Sequence, residues 1–558
     1  MPITWKQFER YWYIFCLGGI IAALPFSKIA LSIGQMMLAG GWIVERFDGK
    51  KLKNALAGHS AGQIILRIFP LSVKLLFIGI ATGFKQFSKN KPALIFSSIY
   101  LLHILGLIFT TDFDYAFKDL RTKFPLFLLP MILSTSEAFD KKSFYRFMAL
   151  FVLAVLVRSV YNAWMIGTHQ FIDIRIVSHN VSHIIFSLLL TLSIYSLAFF
   201  LLKRNLFLFW QKGLLLLILV WLFVYIILSQ SFTGFSITLI TMLVLIPVLI
   251  FKTRNLNLKA FLAISILIVT AFLFFSLRSI IKDYYHVNPV DFTKLDKTTS
   301  RGNPYINNSY STQTENGNYI WIYIQWDELR SSWNKRSHIP FDSLNLKSEP
   351  VAYTVIRYLT SRGCRKDADA VDKLKPDEIE AIEKGTANLV FMKEFGIRGR
   401  IYEFLWGFDN YRETGNPSGA TLMQRLEFWK ASIGIINNNW LTGVGTGDMN
   451  LAFAAQYEKM HTKLSPDQRW RSHNQFLSIF IGFGIFGFLW FLFSVFYPPV
   501  MLRRVDDYFF LIFLIISVLS MLTGDTIESQ TGVSFFAIFY ALFLFARKEK
   551  DSIIHKDI

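Results

Sequence analysis

The feature that most constrains this chain is a long series of apolar segments separated by short polar loops. A helix needs about 20 apolar residues to cross the hydrocarbon core of a bilayer. Hydrophobic residues make up 53% of the chain and charged residues only 17%, which leaves too little polar surface for a soluble protein of 558 residues. We therefore predict an all-α polytopic membrane protein with about 12 transmembrane helices, at the apolar runs 11–27, 29–45, 93–110, 124–137, 145–167, 182–202, 212–229, 233–251, 259–277, 474–497, 507–523 and 531–546.

The net charge of +19 is carried largely by short loops between apolar segments. Such loops usually stay in the cytoplasm and attract anionic lipid headgroups, so we do not expect a nucleic-acid partner. The loops at 229–232 and 523–531 contain no Lys or Arg and alternate with the basic ones. This alternation predicts cytoplasmic termini, with cytoplasmic basic loops at 203–212, 252–259 and 501–506 and a basic tail from Arg547.

One apolar segment, 64–84, does not fit this alternation. Both of its flanks are basic, and Arg67, Pro70 and Lys74 interrupt it. If it crossed the membrane, one basic flank would have to be translocated. We therefore predict an interfacial or re-entrant helix on the cytoplasmic side.

A large polar insertion separates the first nine spans from the last three. Its start is rich in Asn, Ser, Thr and Gly, and its middle has apolar residues at helical spacing, with Pro376 opening a new helix. We predict a mainly helical periplasmic domain at 279–472. The membrane domain then comprises 1–278 and 473–546, and 547–558 form a cytoplasmic tail.

The residues best suited to chemistry lie in the stretch 425–487. His473 stands at the predicted outer mouth of a span, where an imidazole can titrate near neutrality and accept a proton from a hydroxyl. Arg471 precedes it, and Arg425 is nearby if the insertion folds back. A guanidinium binds phosphate oxygens in pairs and keeps its charge, so this group suits an anionic, lipid-tethered substrate.

Several motifs together resemble the O-antigen ligase and polymerase family. They are SHNQFL followed by GFGIFG, the upstream RLEFW and GVGTGD, and the large loop before the last three spans. The stretches 113–133 and 524–543 also resemble the Bacteroidetes branch of this family. The resemblance implies a GT-C-like glycosyltransferase architecture in the bacterial inner membrane, with the active site facing the periplasm.

The resemblance also implies a reaction. The donor is a glycan on undecaprenyl pyrophosphate, and the acceptor is a hydroxyl, with lipid A-core as first choice. Transfer inverts the sugar carbon and needs no metal or other cofactor. The family's proposed base maps onto His473, and an arginine proposed to hold the pyrophosphate maps onto Arg425.

The chain departs from the family pattern at two positions. Phe232, in LSQSFTGF, and Ile185, in HIIFSLLL, stand where relatives carry arginine. Either another cation replaces them (Arg121, Lys123 or Arg471), or the donor or the activity differs. The predicted substrate-binding residues are Arg425, Arg471, Asn474, Arg121 and Lys123.

Two other interpretations of the whole chain stay open. The same chemistry could serve a polysaccharide polymerase or a protein O-oligosaccharyltransferase. A flippase or transporter for the lipid-linked glycan would be a different class, and it should show intramembrane charges and repeated halves. The sequence has few such charges and no repeat, which favours the enzyme.

Two short patterns resemble ligand-binding motifs but have simpler explanations. The glycines of GVGTGD suggest tight turning rather than a phosphate loop, because no strand–helix context or lysine follows. Asp112 and Asp114 form a D-x-D pair that could bind metal, but this spacing is common by chance.

Overall fold

The computed structural model describes residues 5–551 except 58, 170–176, 178–179, 204–205, 254, 394–396 and 419. Arg204, Arg254 and the end of the predicted tail lie outside these residues. The described chain is mainly helical, as predicted. The helices before the insertion are α1 (Trp5–Ala23), α2 (Lys28–Glu45), α3 (Gly49–Leu56), α4 (Ala61–Lys89), α5 (Lys91–Leu105), α6 (Phe113–Lys123), α7 (Pro125–Thr135), α8 (Lys141–Thr168), α9 (His183–Leu202), α10 (Phe209–Leu228), α11 (Phe232–Lys252) and α12 (Leu256–Tyr285).

The insertion and the C-terminal part are also mainly helical. The single sheet of the described residues is a two-stranded antiparallel pair in which Thr314 faces Tyr319. Pro376 opens a helix, as predicted. The elements are β1 (Thr314–Glu315), β2 (Asn318–Tyr319), α13 (Trp326–Arg336), α14 (Val351–Ser361), α15 (Ala368–Asp372), α16 (Pro376–Glu383), α17 (Leu389–Lys393), α18 (Ile397–Thr414), α19 (Thr421–Asn439), α20 (Met449–Lys459), α21 (Gln475–Met501), α22 (Tyr508–Thr523) and α23 (Gln530–Leu544).

Eight helices among the described residues are long and apolar enough to cross a membrane, by length and composition. Some of the predicted spans are shorter: α7 has 11 residues, α23 has 15 and α22 has 16. At a rise of about 1.5 Å per residue, even α22 covers only about 24 Å of a core of about 30 Å. The count of about twelve spans therefore stays a prediction.

Helix α4 contains the segment that the loop charges left ambiguous. It runs through Pro70 without a break for 29 residues, and its part Leu66–Lys89 is apolar enough to span. Length and composition do not choose between a crossing helix and an interfacial one. The interfacial placement of 64–84 stays a prediction.

The apolar helices differ in what surrounds them. Most of α23 is buried, and it packs against α7 and α22 at the centre of the main apolar core. None of the 30 residues of α12 is buried, although the helix is strongly apolar. A helix that is apolar all round but uncovered by protein is suited to contact with lipid.

The chain divides into two compact units. The first consists of Met1–Leu262 and Asn416–Ile558, and the second of Ala263–Gly415. The second unit has its own apolar core around Trp333 and Tyr358. Residues 416–472, predicted as part of the insertion, thus group with the first unit. The predicted division concerns sides of the membrane, which a division by contacts does not test.

We expect reporter fusions to test the threading directly. Fusions after residues 90, 208, 255 and 504 and at the C-terminus should report cytoplasm, and one near 310 should report periplasm, because the basic loops alternate with uncharged or acidic ones. Activity of paired cytoplasmic and periplasmic reporters at each position is the measurement. Opposite locations for residues 55 and 88 would show that α4 crosses and would contradict the interfacial placement.

Candidate functional site

A glycine-rich loop and a broken helix fit together in the first unit. Helix α21 is interrupted at Gly484, whose φ is +62°. The loop after α19 lies against this break: Val444 donates to the carbonyl of Ile481 at 2.8 Å and Gly445 to that of Gly482 at 2.9 Å. A Cβ on Gly443 would lie 2.4 Å from the Gly482 carbonyl, so only glycine allows this close approach.

The backbone amides of GVGTGD already have partners. Those of residues 443–447 all donate within the protein: to the carbonyls of Asn439, Ile481, Gly482 and Gly106, and to the Thr110 hydroxyl. A phosphate-cradling loop must direct free amides at its ligand. This loop instead uses them for packing, which agrees with the interpretation as a tight turn.

Asp448 and Asp112 connect this loop to the start of α6. The Asp448 carboxylate accepts from the amides of Thr111 and Asp112 at 2.8–3.0 Å. Asp112 in turn caps α6 by accepting from the amide of Tyr115 at 2.9 Å. One member of the D-x-D pair thus has a structural task.

The residues of the SHNQ stretch have different structural roles. Asn474 caps α21, accepting from the amides of Phe476 and Leu477, and its amide group donates to the carbonyl of Leu522 at 3.1 Å. Gln475 is fully buried, donating to Glu528 at 3.0 Å and accepting from the amide of Ile527 at 3.0 Å. These contacts fix the backbone on one side of His473. Asn474 therefore helps to position His473, and its predicted contact with substrate stays a prediction.

His473 has an unusual backbone and a half-buried ring. Its φ is +46°, in the left-handed region that costs a residue other than glycine of order 1–3 kcal/mol. The contacts of Asn474 and Gln475 hold this conformation on one side. On the other side, the Ser472 carbonyl accepts a hydrogen bond from the Trp429 indole at 3.1 Å. The ring lies 5.5 Å, centroid to centroid, from that of Phe428. The RLEFW motif of α19 thus packs directly against His473.

The turn after α22 carries two carboxylates that the predicted site did not include, and one of them, Asp525, lies beside His473. Asp525 Oδ2 is 4.0 Å from His473 Nδ1, and Asp525 also accepts from the Ser478 hydroxyl at 2.8 Å. Glu528 lies in the same turn, between α22 and α23, and accepts from Gln475. The signal for them was the acidic loop 523–531, predicted to lie on the same side of the membrane as His473.

The charges around His473 set its protonation. Partial burial lowers the pKa of His473, and Arg425 and Arg471 lower it further, whereas Asp525 acts in the opposite direction. Burial and the neighbouring Glu528 raise the pKa of Asp525. The net effect on His473 favours a neutral imidazole, the form that can accept a proton.

Lys123 is used within the protein. Its ammonium lies 2.6 Å from Asp119 and 3.0 Å from Glu528, and the side chain is almost completely buried. Although burial opposes a charge, Asp119 and Glu528 hold the pKa of Lys123 above its usual value. The ammonium therefore already has two carboxylate partners, and its assignment to substrate stays a prediction.

Arg471 has protein partners but does not use all of its hydrogen-bond donors. Its Nη1 lies 3.5 Å from Glu528, and the guanidinium stands over the Tyr115 ring at 5.6 Å. The same Nη1 is buried without a hydrogen-bond partner. A second acceptor, such as a phosphate oxygen, would complete its coordination.

Arg425 is the cation of this cluster that has no hydrogen bond or ion pair within the described residues. It is half-buried on α19, one turn before Phe428. Its charge nevertheless acts on His473 and is felt by Asp525. Burial lowers its pKa and Asp525 partly offsets this. A half-buried guanidinium without a paired carboxylate is well suited to an anionic ligand.

The remaining predicted positions lie apart from this cluster. Arg121 is exposed on α6, with no hydrogen bond or ion pair among the described residues. Phe232, in place of an arginine, is exposed at the first position of α11, and Ile185 is buried in α9. In the described residues, no contact links any of the three to His473.

Comparison with known families finds a match, and it overlaps the residues described above. Residues 387–492 match the family model described as O-antigen ligase, a range that contains Arg425, GVGTGD, Arg471 and His473. No curated protein sequence matches the chain. The domain and the apolar helices support a multi-pass membrane protein with a ligase- or polymerase-type role in polysaccharide biosynthesis. The match shows that residues 387–492 of this chain are similar to the O-antigen ligase domain.

Proposed function

We propose that this protein transfers a glycan from an undecaprenyl-pyrophosphate donor to an acceptor hydroxyl at the periplasmic face of the inner membrane. The acceptor of first choice is lipid A-core, so that the product is lipopolysaccharide carrying a surface polysaccharide. One observation carries the proposal. His473, whose surroundings favour the neutral form, is close enough to feel the charge of Arg425, and that guanidinium has no carboxylate partner among the described residues.

His473 acts as the general base. Its Nδ1 faces Asp525, which leaves Nε2 for the acceptor hydroxyl. The acceptor oxygen loses its proton to Nε2 and bonds to the sugar carbon from the side opposite the pyrophosphate. The bond from that carbon to the pyrophosphate oxygen breaks, and its electrons leave with the pyrophosphate. One such displacement inverts the sugar carbon. A positioned base typically contributes roughly 10²–10⁴-fold.

Arg425 and Arg471 stabilise the charge that grows on the leaving pyrophosphate. Arg425 has no carboxylate to release first, and Arg471 has one Nη1 without a hydrogen bond. Asp525 supplies negative charge beside His473, which stabilises the imidazolium once it has taken the proton. Lys123 offsets Glu528, so the site does not repel an anionic donor.

We expect transfer by the purified enzyme to survive excess chelator. The cations that face the donor are arginines, and the Asp112 carboxylate is used to cap α6. The measurement is the rate of glycan transfer before and after EDTA treatment. Activity that is abolished by EDTA and restored by magnesium or manganese would contradict metal independence and point to the D-x-D pair.

Surface glycans of a deletion strain identify the acceptor. Loss of the long polysaccharide from lipid A-core, with normal unlinked chains accumulating on the lipid carrier, is the expected result. Shortened chains still attached to lipid A-core would indicate a polymerase instead. Loss of sugar from secreted proteins with unchanged lipopolysaccharide would indicate a protein O-oligosaccharyltransferase. Complementation with His473→Gln separates loss of catalysis from loss of the protein.

A further inference from the structure

The second unit, Ala263–Gly415, contains a cleft with a volume of about 470 Å³ that no feature of the transfer site explains. This is within the range of small-molecule sites, roughly 300–1,000 Å³. Its walls come from the end of α12, the β1–β2 region, α14 and α18. Aromatic rings and hydrogen-bonding side chains alternate along them, and the shape is an open groove rather than an enclosed hole.

The aromatic part of the cleft comprises Trp321, Tyr353 and Trp406, together with Tyr284 and Tyr285 at the end of α12. Trp321 and Tyr353 meet edge to face, with centroids 5.9 Å apart, and Tyr353 keeps half of its surface exposed. Trp406, on α18, lines the cleft beside them. Aromatic side chains are costly to leave in water unless a ligand or partner covers them.

The polar part is held in place by hydrogen bonds that reach the aromatic rings. Gln313 accepts from the Trp321 indole at 2.8 Å and donates to the Glu413 carboxylate at 2.9 Å. One amide therefore fixes both a ring and a carboxylate. The Tyr285 hydroxyl donates to Asp409 at 3.3 Å, one helical turn before Glu413 on α18. Rings and hydrogen-bond acceptors are thus positioned before any ligand arrives, which lowers the cost of binding.

The charges in the cleft argue against an anionic ligand. Arg357 forms an ion pair with Glu315 at 2.6 Å, and its guanidinium stacks on the Trp406 ring at 3.8 Å. Its charge is therefore already balanced within the protein. Arg412 is the other lining cation and is exposed, and three carboxylates, those of Glu349, Asp409 and Glu413, also line the cleft. Carboxylates accept hydrogen bonds and offer none when ionised. The cleft is therefore suited to an uncharged ligand with many hydroxyl groups.

A pyranose has this chemistry: its faces are C–H surfaces that pack on aromatic rings, and its rim carries hydroxyl donors. We propose that this cleft binds a saccharide chain and so holds one of the two transferase substrates by its sugars. The identity of the substrate rests on the proposed function, whereas the binding of sugar does not. The chain could belong to the donor glycan or to the acceptor, and both present the same hydroxyl-rich surface.

The test uses the full-length purified protein and two separate oligosaccharide pools from the parent bacterium. One pool is released by mild acid from the surface polysaccharide and the other from lipid A-core. Binding is measured by saturation-transfer NMR and by titration. We expect one pool to bind, and which one it is identifies the source. Tyr353→Ala should weaken binding at least ~10-fold, the scale for truncating a central aromatic contact, whereas Tyr353→Phe should stay near wild type.

Tyr310→Ala is the matched control, because this tyrosine of the same unit is 96% exposed and does not line the cleft. His473→Gln should bind the pool normally. In transfer assays, Tyr353→Ala should raise KM and leave kcat at saturation unchanged. The proposal is wrong if neither pool binds wild-type protein, or if Tyr353→Ala and Tyr310→Ala bind equally. Normal transfer by His473→Gln, with binding still lost in Tyr353→Ala, would overturn the proposed mechanism and leave the sugar cleft standing.

Discussion

The substitution His473→Gln is expected to slow transfer by at least ~100-fold while the protein still inserts, folds and binds the lipid-linked donor. Glutamine is similar in size and polarity, but it cannot accept the hydroxyl proton, and losing a general base costs roughly 10²–10⁴-fold. The backbone at His473 is held by Asn474, Gln475 and Trp429, none of which the substitution removes. Single-turnover transfer with saturating donor is the measurement.

The pH profile gives an independent check on this role. Because burial and two arginines lower the pKa of His473, the acid side of the profile should have its midpoint below the ordinary imidazole value of about 6.5. The rate falls as pH drops through that pKa, since the protonated ring cannot act as a base. Asp525 raises the pKa of His473, so Asp525→Asn should move the midpoint to still lower pH. Near-normal turnover in correctly inserted His473→Gln would refute the assignment.

The second large effect is expected for Arg425→Ala, which should lower the rate of donor use by roughly 100-fold. Removing one group that stabilises charge in a transition state typically costs about 2.7–4 kcal/mol. Arg425 makes no hydrogen bond or ion pair within the described residues, so its loss should leave the fold intact. Arg425→Lys should stay closer to Ala than to wild type, because an ammonium is a point charge and cannot bind two phosphate oxygens as a planar fork.

Arg146→Ala is the matched control for this substitution. Arg146 is exposed near the start of α8 and should tolerate alanine with unchanged transfer. Transfer that depends on donor concentration in the same way for Arg425→Ala and wild type would remove Arg425 from the site. An Arg425→Lys enzyme with nearly full activity would show that charge alone matters.

Phe232→Arg tests whether the chain has rebuilt its phosphate site. This substitution restores the residue type expected from the resemblance, at an exposed position at the start of α11. If Arg425 and Arg471 already neutralise the pyrophosphate, Phe232→Arg should leave the transfer rate unchanged or lower. A clear gain in donor affinity would mean that the missing arginine had left the site incomplete.

The sequence by itself determined the helical class of fold and supplied the candidate residues of the site. Apolar runs of membrane length can only be satisfied by helices in a bilayer, so the all-α architecture followed from composition and spacing. SHNQFL and RLEFW identified His473 and Arg425 as candidates, and the family match covers both. Local chemistry also predicted the helix start at Pro376, since it depends on a few adjacent residues, whereas the cap at Asn474 was seen only in the structure.

Only the tertiary structure decided which charges face one another. Lys123 looked like a free cation in the sequence, but it lies between Asp119 and Glu528, and Glu528 comes 405 residues later in the chain. Asp525 reaches His473 because the turn between α22 and α23 lies beside the start of α21. The structure also showed why the GVGTGD loop needs glycine: it packs closely against the break in α21. Contacts of this kind depend on how helices pack, and helical periodicity shows which face is apolar but not which partner covers it.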